Sequence, residues 1–223
     1  MTGLALGDAY GRPLEFLKGN RVRELKVSIL PGSLMWTDDT HMSLYLGRAL
    51  LDLRPGRWDE EAFGAALAAR WVEWLHDPLM PSTAPGGTCL AGARAIENGT
   101  PWRKSGVPTS DGCGAVMRIC PLPIALDGPA LTTAAKLSAL TTHGHPNAVE
   151  AAIAACWILR WTLEEGELSA ELVQRAVERL QGDWGQGGDV ARSLQDALKV
   201  AESTGEWLEE SQVYPGDGGW RSG

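Results

Sequence analysis

Positive charge is in short supply in this 223-residue sequence: 20 basic residues face 28 acidic ones, a formal net charge of -8. That balance argues against a nucleic-acid polymer as partner, because phosphate backbones are held by basic surfaces. Cysteine is also scarce: Cys89, Cys113, Cys120 and Cys156 are widely spread, with no CxxC pair. Neither a disulfide framework nor a zinc site is expected, and the four are read as reduced thiols in or near the core. Long apolar runs are missing too, which excludes a bilayer-crossing helix. The N-terminus has no basic flank leading into a continuous apolar stretch, so the expected location is cytoplasmic, with no membrane partner. Period-two alternation is nearly absent; Val27 to Leu30 is the only short strand candidate. No Pro/Gly/Ser linker divides the chain, and residues 1–223 are read as a single domain.

What remains is helical grammar. Hydrophobic residues make up 44% of the chain, enough for a substantial core. Met42, Tyr45, Leu46, Ala49, Leu50 and Leu53 recur at three- and four-residue steps until Pro55-Gly56. Asp59 is a natural N-cap for a helix carrying Ala62, Phe63, Ala66, Leu67, Trp71 and Trp74 on one face. A third helix is expected from near Thr88 to Asn98-Gly99, a left-handed exit. Pro129 and Pro146 suit the first turns of two further helices, the second reaching Glu165-Gly166. Ser169 caps a run through Leu180, and a last helix runs from Asp189 to Gly205. The fold class is therefore all-α, a compact multi-helix bundle. Trp71, Trp74, Trp157 and Trp161 fall at helical spacing and are read as packing groups rather than ligand stackers.

Several junctions carry more than packing. Thr37-Asp38-Asp39-Thr40 puts two carboxylates and two hydroxyls at a helix start, where they serve either as caps or as ligands for a hard cation. Upstream, Gly3, Gly7 and Gly11 share one side of a helix and suggest close helix approach, with Asp8 and Glu15 as acids lacking obvious basic neighbours. Gly86-Gly87-Thr88 leads into a helix, a place for backbone N–H groups to meet an anion. Asp111-Gly112-Cys113-Gly114-Ala115-Val116-Met117-Arg118 is a glycine-rich turn suited to a phosphate, without the ending of a Walker loop. Thr142-His143-Gly144-His145 sets two histidines before a proline-opened helix; oxygen-rich surroundings favour Mg²⁺ or Mn²⁺ over zinc, so the histidines are assigned to substrate.

In their order, GLALGDAYGRPLEF, WTDDTHMSLYLGRALL, GGTCLAGARAIENG, DGCGAVMRICPL and TTHGHPNAVEAA resemble the ADP-ribosylglycohydrolase family over most of residues 3 to 157. The resemblance implies an all-helical fold around a two-metal cleft that removes ADP-ribose from a protein or small-molecule acceptor. It implies Thr37, Asp38 and Asp39 as metal ligands for Mg²⁺ or Mn²⁺, and Glu15 beside them, with Glu15 and Asp38 as the catalytic carboxylates. For the pyrophosphate it implies Gly112, Cys113, Gly114, Ala115 and His143; Arg118 matches the family's arginine, which either touches ligand or supports the turn, and Gly87 and Thr88 join the substrate residues from the helix start.

The family's late Asp-x-Asp-Thr or Asp-x-Asp-Ser element has no counterpart here, so the match stops at a chain lacking its last helices, with half of the two-metal site. In the enzyme reading the missing ligands are replaced by water, by a partner subunit or by an acid such as Asp183 or Asp189. A non-catalytic ADP-ribose or nucleotide binder is the competing reading, and metal-dependent phosphoester hydrolysis a third. An uncovered C-terminal face would favour oligomers.

Overall fold

The computed structural model of the chain describes residues 1–15, 35–53, 58–184 and 188–204. Helix α1 (Thr2–Gly11) runs into a 3-10 turn at Arg12–Leu14. There follow α2 (Asp38–Leu51), α3 (Glu60–Leu75), α4 (Gly87–Glu97) and the short α5 (Pro121–Ala125). The series closes with α6 (Gly128–Leu140), α7 (Pro146–Glu165), α8 (Ala170–Trp184) and α9 (Asp189–Thr204). Among the described residues there is no β-strand, only an isolated parallel bridge between Val107 and His143. The chain is all-α; Val27 to Leu30 lies outside the described residues.

Local chemistry explains the helix ends. The Asp59 carboxylate accepts from the Ala62 N–H at 2.7 Å to start α3, and the His145 ring accepts from the Asn147 N–H ahead of α7. Ser169 Oγ accepts from Leu172 N–H at 3.4 Å at the start of α8. Gly166 ends α7 with φ of 87°, a left-handed turn that a side chain disfavours. Helix α2 packs on α3, α3 on α4, α6 on α7 and α7 on α8, with α9 laid on α8.

The core between them takes Met42, Leu46, Phe63, Leu67, Leu131 and Ile153, all fully buried. Burying each such side chain contributes about 1.5–3 kcal/mol. Trp71, Trp74, Trp157 and Trp161 belong to this core, as their spacing predicts. Two of them satisfy their indole N–H there: Trp71 donates to Thr141 Oγ1 at 2.8 Å and Trp157 to Thr132 Oγ1 at 3.0 Å.

Two expectations change. A Cβ built on Gly3, Gly7 or Gly11 would meet nothing within 4 Å, so among the described residues no helix presses on that side of α1. The close approach falls at Gly92 instead, where a Cβ would lie 2.5 Å from the Thr141 carbonyl oxygen and 2.6 Å from Thr142 Cα. That contact clamps the segment after α6 against α4. The four cysteines are free, but only Cys89 and Cys156 are buried; Cys120 is half-buried and Cys113 exposed.

Candidate active site

The start of α2 is organised by Asp8. One carboxylate oxygen accepts from the Thr37 N–H (2.8 Å), the Thr40 N–H (3.2 Å) and the Thr40 hydroxyl (2.6 Å); the other accepts from the Thr37 hydroxyl at 2.7 Å. These bonds pin α1 to the first turn of α2 and fix the rotamers of both threonines. Thr37 also caps the helix, its Oγ1 accepting from the Asp39 N–H at 3.4 Å, and the hydroxyl is shared with an Asp39 carboxylate oxygen 3.0 Å away. Capping and an acidic cluster therefore coexist in one turn.

Asp38 turns to the other side. Its Oδ2 accepts from the Gly86 N–H at 3.0 Å, so the anion met by the start of α4 is this protein's own carboxylate. Gly87 opens that helix and Thr88 follows, its hydroxyl 3.0 Å from Ser110 Oγ. Burial, aided by the Asp39 and Glu15 charges, raises the Asp38 carboxyl from 3.8 to about 7. Asp39 is pushed up by burial and by Asp8, and Glu15 by burial and by Asp39 and Asp8. The three carboxylates are thus within electrostatic reach of one another, with Asp38 buried, Asp39 half-buried and Glu15 exposed at the rim. Cys113 is exposed at the surface, yet partial desolvation in the turn and the charges of the same three acids, Asp39 foremost, raise its thiol, so the glycine-rich turn lies within their electrostatic reach.

Behind the turn stands His143. A Cβ on Gly114 would lie 2.7 Å from His143 Cε1 and 2.8 Å from Cys89 Sγ, and one on Gly112 would lie 3.5 Å from His143 Nε2. Only glycine lets the backbone at Gly114 come this close to the ring. Ala115 is buried beneath the turn. The His143 segment is itself fastened, with Val107 N–H donating to the Thr142 carbonyl at 2.9 Å and Gly144 N–H to the Val107 carbonyl at 2.8 Å. Burial, and then the Arg118 charge, push His143 down to about 3, so the ring is neutral at physiological pH.

Arg118 is placed differently from the other expected substrate residues. It is fully buried, donating to the Ser138 carbonyl (2.7 Å) and the Thr142 hydroxyl (2.6 Å), with Cys89 Sγ 3.6 Å away and the Trp71 ring beneath it. Its guanidinium supports the turn and the histidine from inside the core and presents no donor to solvent. Of the acids weighed as substitutes, Asp189 is held by Asn147 and Arg192, while the Asp183 side chain lies outside the described residues.

Sequence reasoning noticed Asp8 only as an acid without a basic neighbour, took Thr40 as one hydroxyl of the acidic turn and Thr142 as part of the histidine motif without a role of its own, and missed Ser110. The signal for Asp8 was present in part: an acid without a paired cation needs hydroxyl or N–H donors, and the Thr37-Asp38-Asp39-Thr40 turn supplies the four that reach it. Thr142 stands next to a histidine already singled out.

The donor set suits a hard divalent cation chemically, with carboxylates and a hydroxyl around an excess of negative charge that a cation would relieve. It is an open set, since among the described residues no three His, Cys, Asp or Glu side chains gather into a group able to hold a metal ion.

The family model described as ADP-ribosylglycohydrolase matches residues 1–222. An uncharacterised protein of Archaeoglobus fulgidus is 33% identical over 80% of this chain and 60% of its own length. The ADP-ribosylarginine hydrolase Tri1 of Pseudomonas putida is 30% identical over 56% of this chain and 34% of its own length. The uncharacterised protein YegU of Escherichia coli is 30% identical over 76% of this chain and 54% of its own length. The chain thus spans between about a third and three fifths of the length of these relatives. With the ordered motifs gathered at one corner of an all-helical fold, the chain belongs to the ADP-ribosylglycohydrolase family.

Proposed function

We propose that this chain hydrolyses the glycosidic bond between ADP-ribose and its acceptor, a modified protein side chain such as arginine or serine, or a small ADP-ribosyl conjugate. The observation that carries the reading is buried Asp38 and half-buried Asp39, with Glu15 within electrostatic reach, beside a glycine turn backed by neutral His143. Carboxylates suit the oxocarbenium-like charge that develops at the ribose anomeric carbon. Backbone N–H groups and a neutral imidazole suit the diphosphate, which they bind without the cost of burying another unpaired charge.

In this reading the Gly112, Cys113, Gly114 and Ala115 turn and His143 orient the diphosphate, with Gly87 and Thr88 at the neighbouring helix start. The ribose then lies toward the acids. Thr37, Asp38 and Asp39 would hold Mg²⁺ or Mn²⁺, with Glu15 beside them; such an ion, when bound, supplies Lewis-acid stabilisation and a more acidic water. Glu15 and Asp38 are the groups that stabilise the developing cation and move the proton at the attacking water or the leaving acceptor. Arg118 acts from behind, as support.

The test is turnover on ADP-ribosyl-arginine and ADP-ribosyl-serine substrates with Mg²⁺ or Mn²⁺, alongside calorimetric titration of each ion into the chain and into an Asp38→Asn, Asp39→Asn variant. Release of intact ADP-ribose, lost in the variant together with ion binding, is the expected result. ADP-ribose binding without release would refute hydrolysis and leave the chain a binder, a reading favoured by the open donor set. Release of AMP would point to phosphoester chemistry instead.

A further inference from the structure

The neutral His143 ring can carry its one hydrogen on either nitrogen, and the two forms offer a ligand opposite things. We infer that Arg118, acting through the Thr142 hydroxyl, fixes His143 as the tautomer with hydrogen on Nε2, so that the ring presents a donor to the glycine turn. Arg118 and Thr142 are then positioning residues for anion recognition. This deepens the proposed function and rests on it only for the identity of the anion.

The argument runs along a short chain of hydrogen bonds. A guanidinium has donors and no acceptor, so at 2.6 Å the Thr142 oxygen accepts from Arg118. Thr142 is fully buried, and its remaining side-chain partner is His143 Nδ1 at 2.8 Å. If Nδ1 carried the hydrogen, the Thr142 oxygen would receive two donors and its own hydrogen would be buried without an acceptor, an arrangement proteins avoid. The hydroxyl therefore donates to Nδ1, which must be the bare nitrogen. The hydrogen goes to Nε2, the edge facing Gly112 and Gly114. Arg118 is held in place by the Ser138 carbonyl at 2.7 Å and is stacked over Trp71, so the direction of the chain is set from the core outward. A neutral donor built in this way takes an anionic oxygen of a phosphate or diphosphate.

The tautomer is read directly by ¹⁵N NMR of histidine-labelled protein, with the His143 signals assigned by their loss in His143→Gln. In the ligand-free wild type the expected pattern is a protonated Nε2 and a hydrogen-bonded, unprotonated Nδ1; a protonated Nδ1, or rapid exchange between the two forms, would overturn the inference. Thr142→Val keeps the shape but removes the hydroxyl, and the Nδ1 signal should move as it loses its donor, while Thr142→Ser restores it. An Nδ1 signal indifferent to Thr142→Val would also overturn it. Loss of one well-formed hydrogen bond predicts about a tenfold weaker ADP-ribose affinity for Thr142→Val, with Thr142→Ser near wild type. Because the wild-type spectrum needs neither ligand nor variant, a Thr142→Val protein that fails to fold leaves the test standing. A locked tautomer in a protein that binds no ADP-ribose would support the lock and refute the functional reading alone.

Discussion

Removing the Asp8 carboxylate should loosen the acidic corner more than any exposed acid could. Asp8 receives four hydrogen bonds, two from backbone N–H groups at the start of α2 and two from the hydroxyls of Thr37 and Thr40. Hydrogen bonds to a charged group contribute roughly 1.5–3 kcal/mol each, but water can replace part of this at a half-buried site, so about 1 kcal/mol per bond is the sensible lower figure. Asp8→Ala should therefore cost about 3–4 kcal/mol. Asp8→Asn keeps an oxygen facing both N–H groups and lets the Thr37 hydroxyl turn round to accept, so it should cost about 1–2 kcal/mol. Urea unfolding with Mg²⁺ absent measures both, because the midpoint shifts with stability at fixed slope. A second readout is calorimetric affinity for Mn²⁺, which should fall in both variants because Thr37 and Asp39 lose their fixed orientation. If Asp8→Ala lost less than about 1 kcal/mol, the four bonds would be no better than their counterparts in water and the hub would be refuted.

Three further outcomes follow from the same geometry. Gly114→Ala drives a Cβ toward His143 Cε1 and Cys89 Sγ, at 2.7 and 2.8 Å, so it should cost about 1–3 kcal/mol and weaken ADP-ribose binding more than tenfold; unchanged affinity by calorimetry would mean the turn does not touch ligand. Asp38, raised from 3.8 to about 7 in the folded protein, keeps its proton better folded than unfolded, so its contribution is present at low pH and is lost as pH rises from about 4 to 7. In chelator-treated protein Asp38→Asn should remove that loss, gaining at most about 4 kcal/mol over wild type at pH 7 and nothing near pH 3, and parallel stability curves for the two proteins would refute it. His143 has the opposite sign: its depressed value, about 3, makes acid destabilising between pH 6.5 and 3, and His143→Gln should flatten that limb of the pH-stability curve.

Helices were readable because their signals are local. Asp59, Pro146 and Gly166 are caps and stops that work within one turn, and the structure places a helix end at each. The Thr37-Asp38-Asp39-Thr40 turn was read as either a cap or a cluster of ligands; the alternatives were false opposites, since Thr37 caps the helix through the same hydroxyl that faces Asp8 and Asp39. What stayed hidden is long-range. Asp8 lies 29 residues before Thr37, and no periodicity brings two such positions together. The three glycines of α1 show the converse, a pattern with a packing meaning that no described neighbour takes up, while Gly92, isolated in sequence, holds one of several tight contacts. Arg118 sits in a glycine-rich stretch that looks like surface, yet Ile119 and Leu122 next to it are core residues and carry it inward.

The charge distribution also constrains the order of events in this corner. Two unit charges about 5 Å apart interact by roughly 3 kcal/mol at an effective dielectric of about 20. A diphosphate brought near Glu15, Asp38 and Asp39 would meet that repulsion; the Arg12 charge offsets part of it at Glu15, and Arg118 is turned inward behind His143. Raised carboxylates answer part of this by taking up protons; a divalent ion answers it more completely, because it removes the repulsion and leaves the carboxylates ionised. The anion is therefore best met at the far end, by neutral donors on the glycine turn and His143. The acidic end is best met by the ribose, which carries hydroxyls and no charge. Under the proposed function that polarity would set the phosphates against the turn and the anomeric carbon toward the acids, and a divalent ion would bind before ADP-ribose rather than after it.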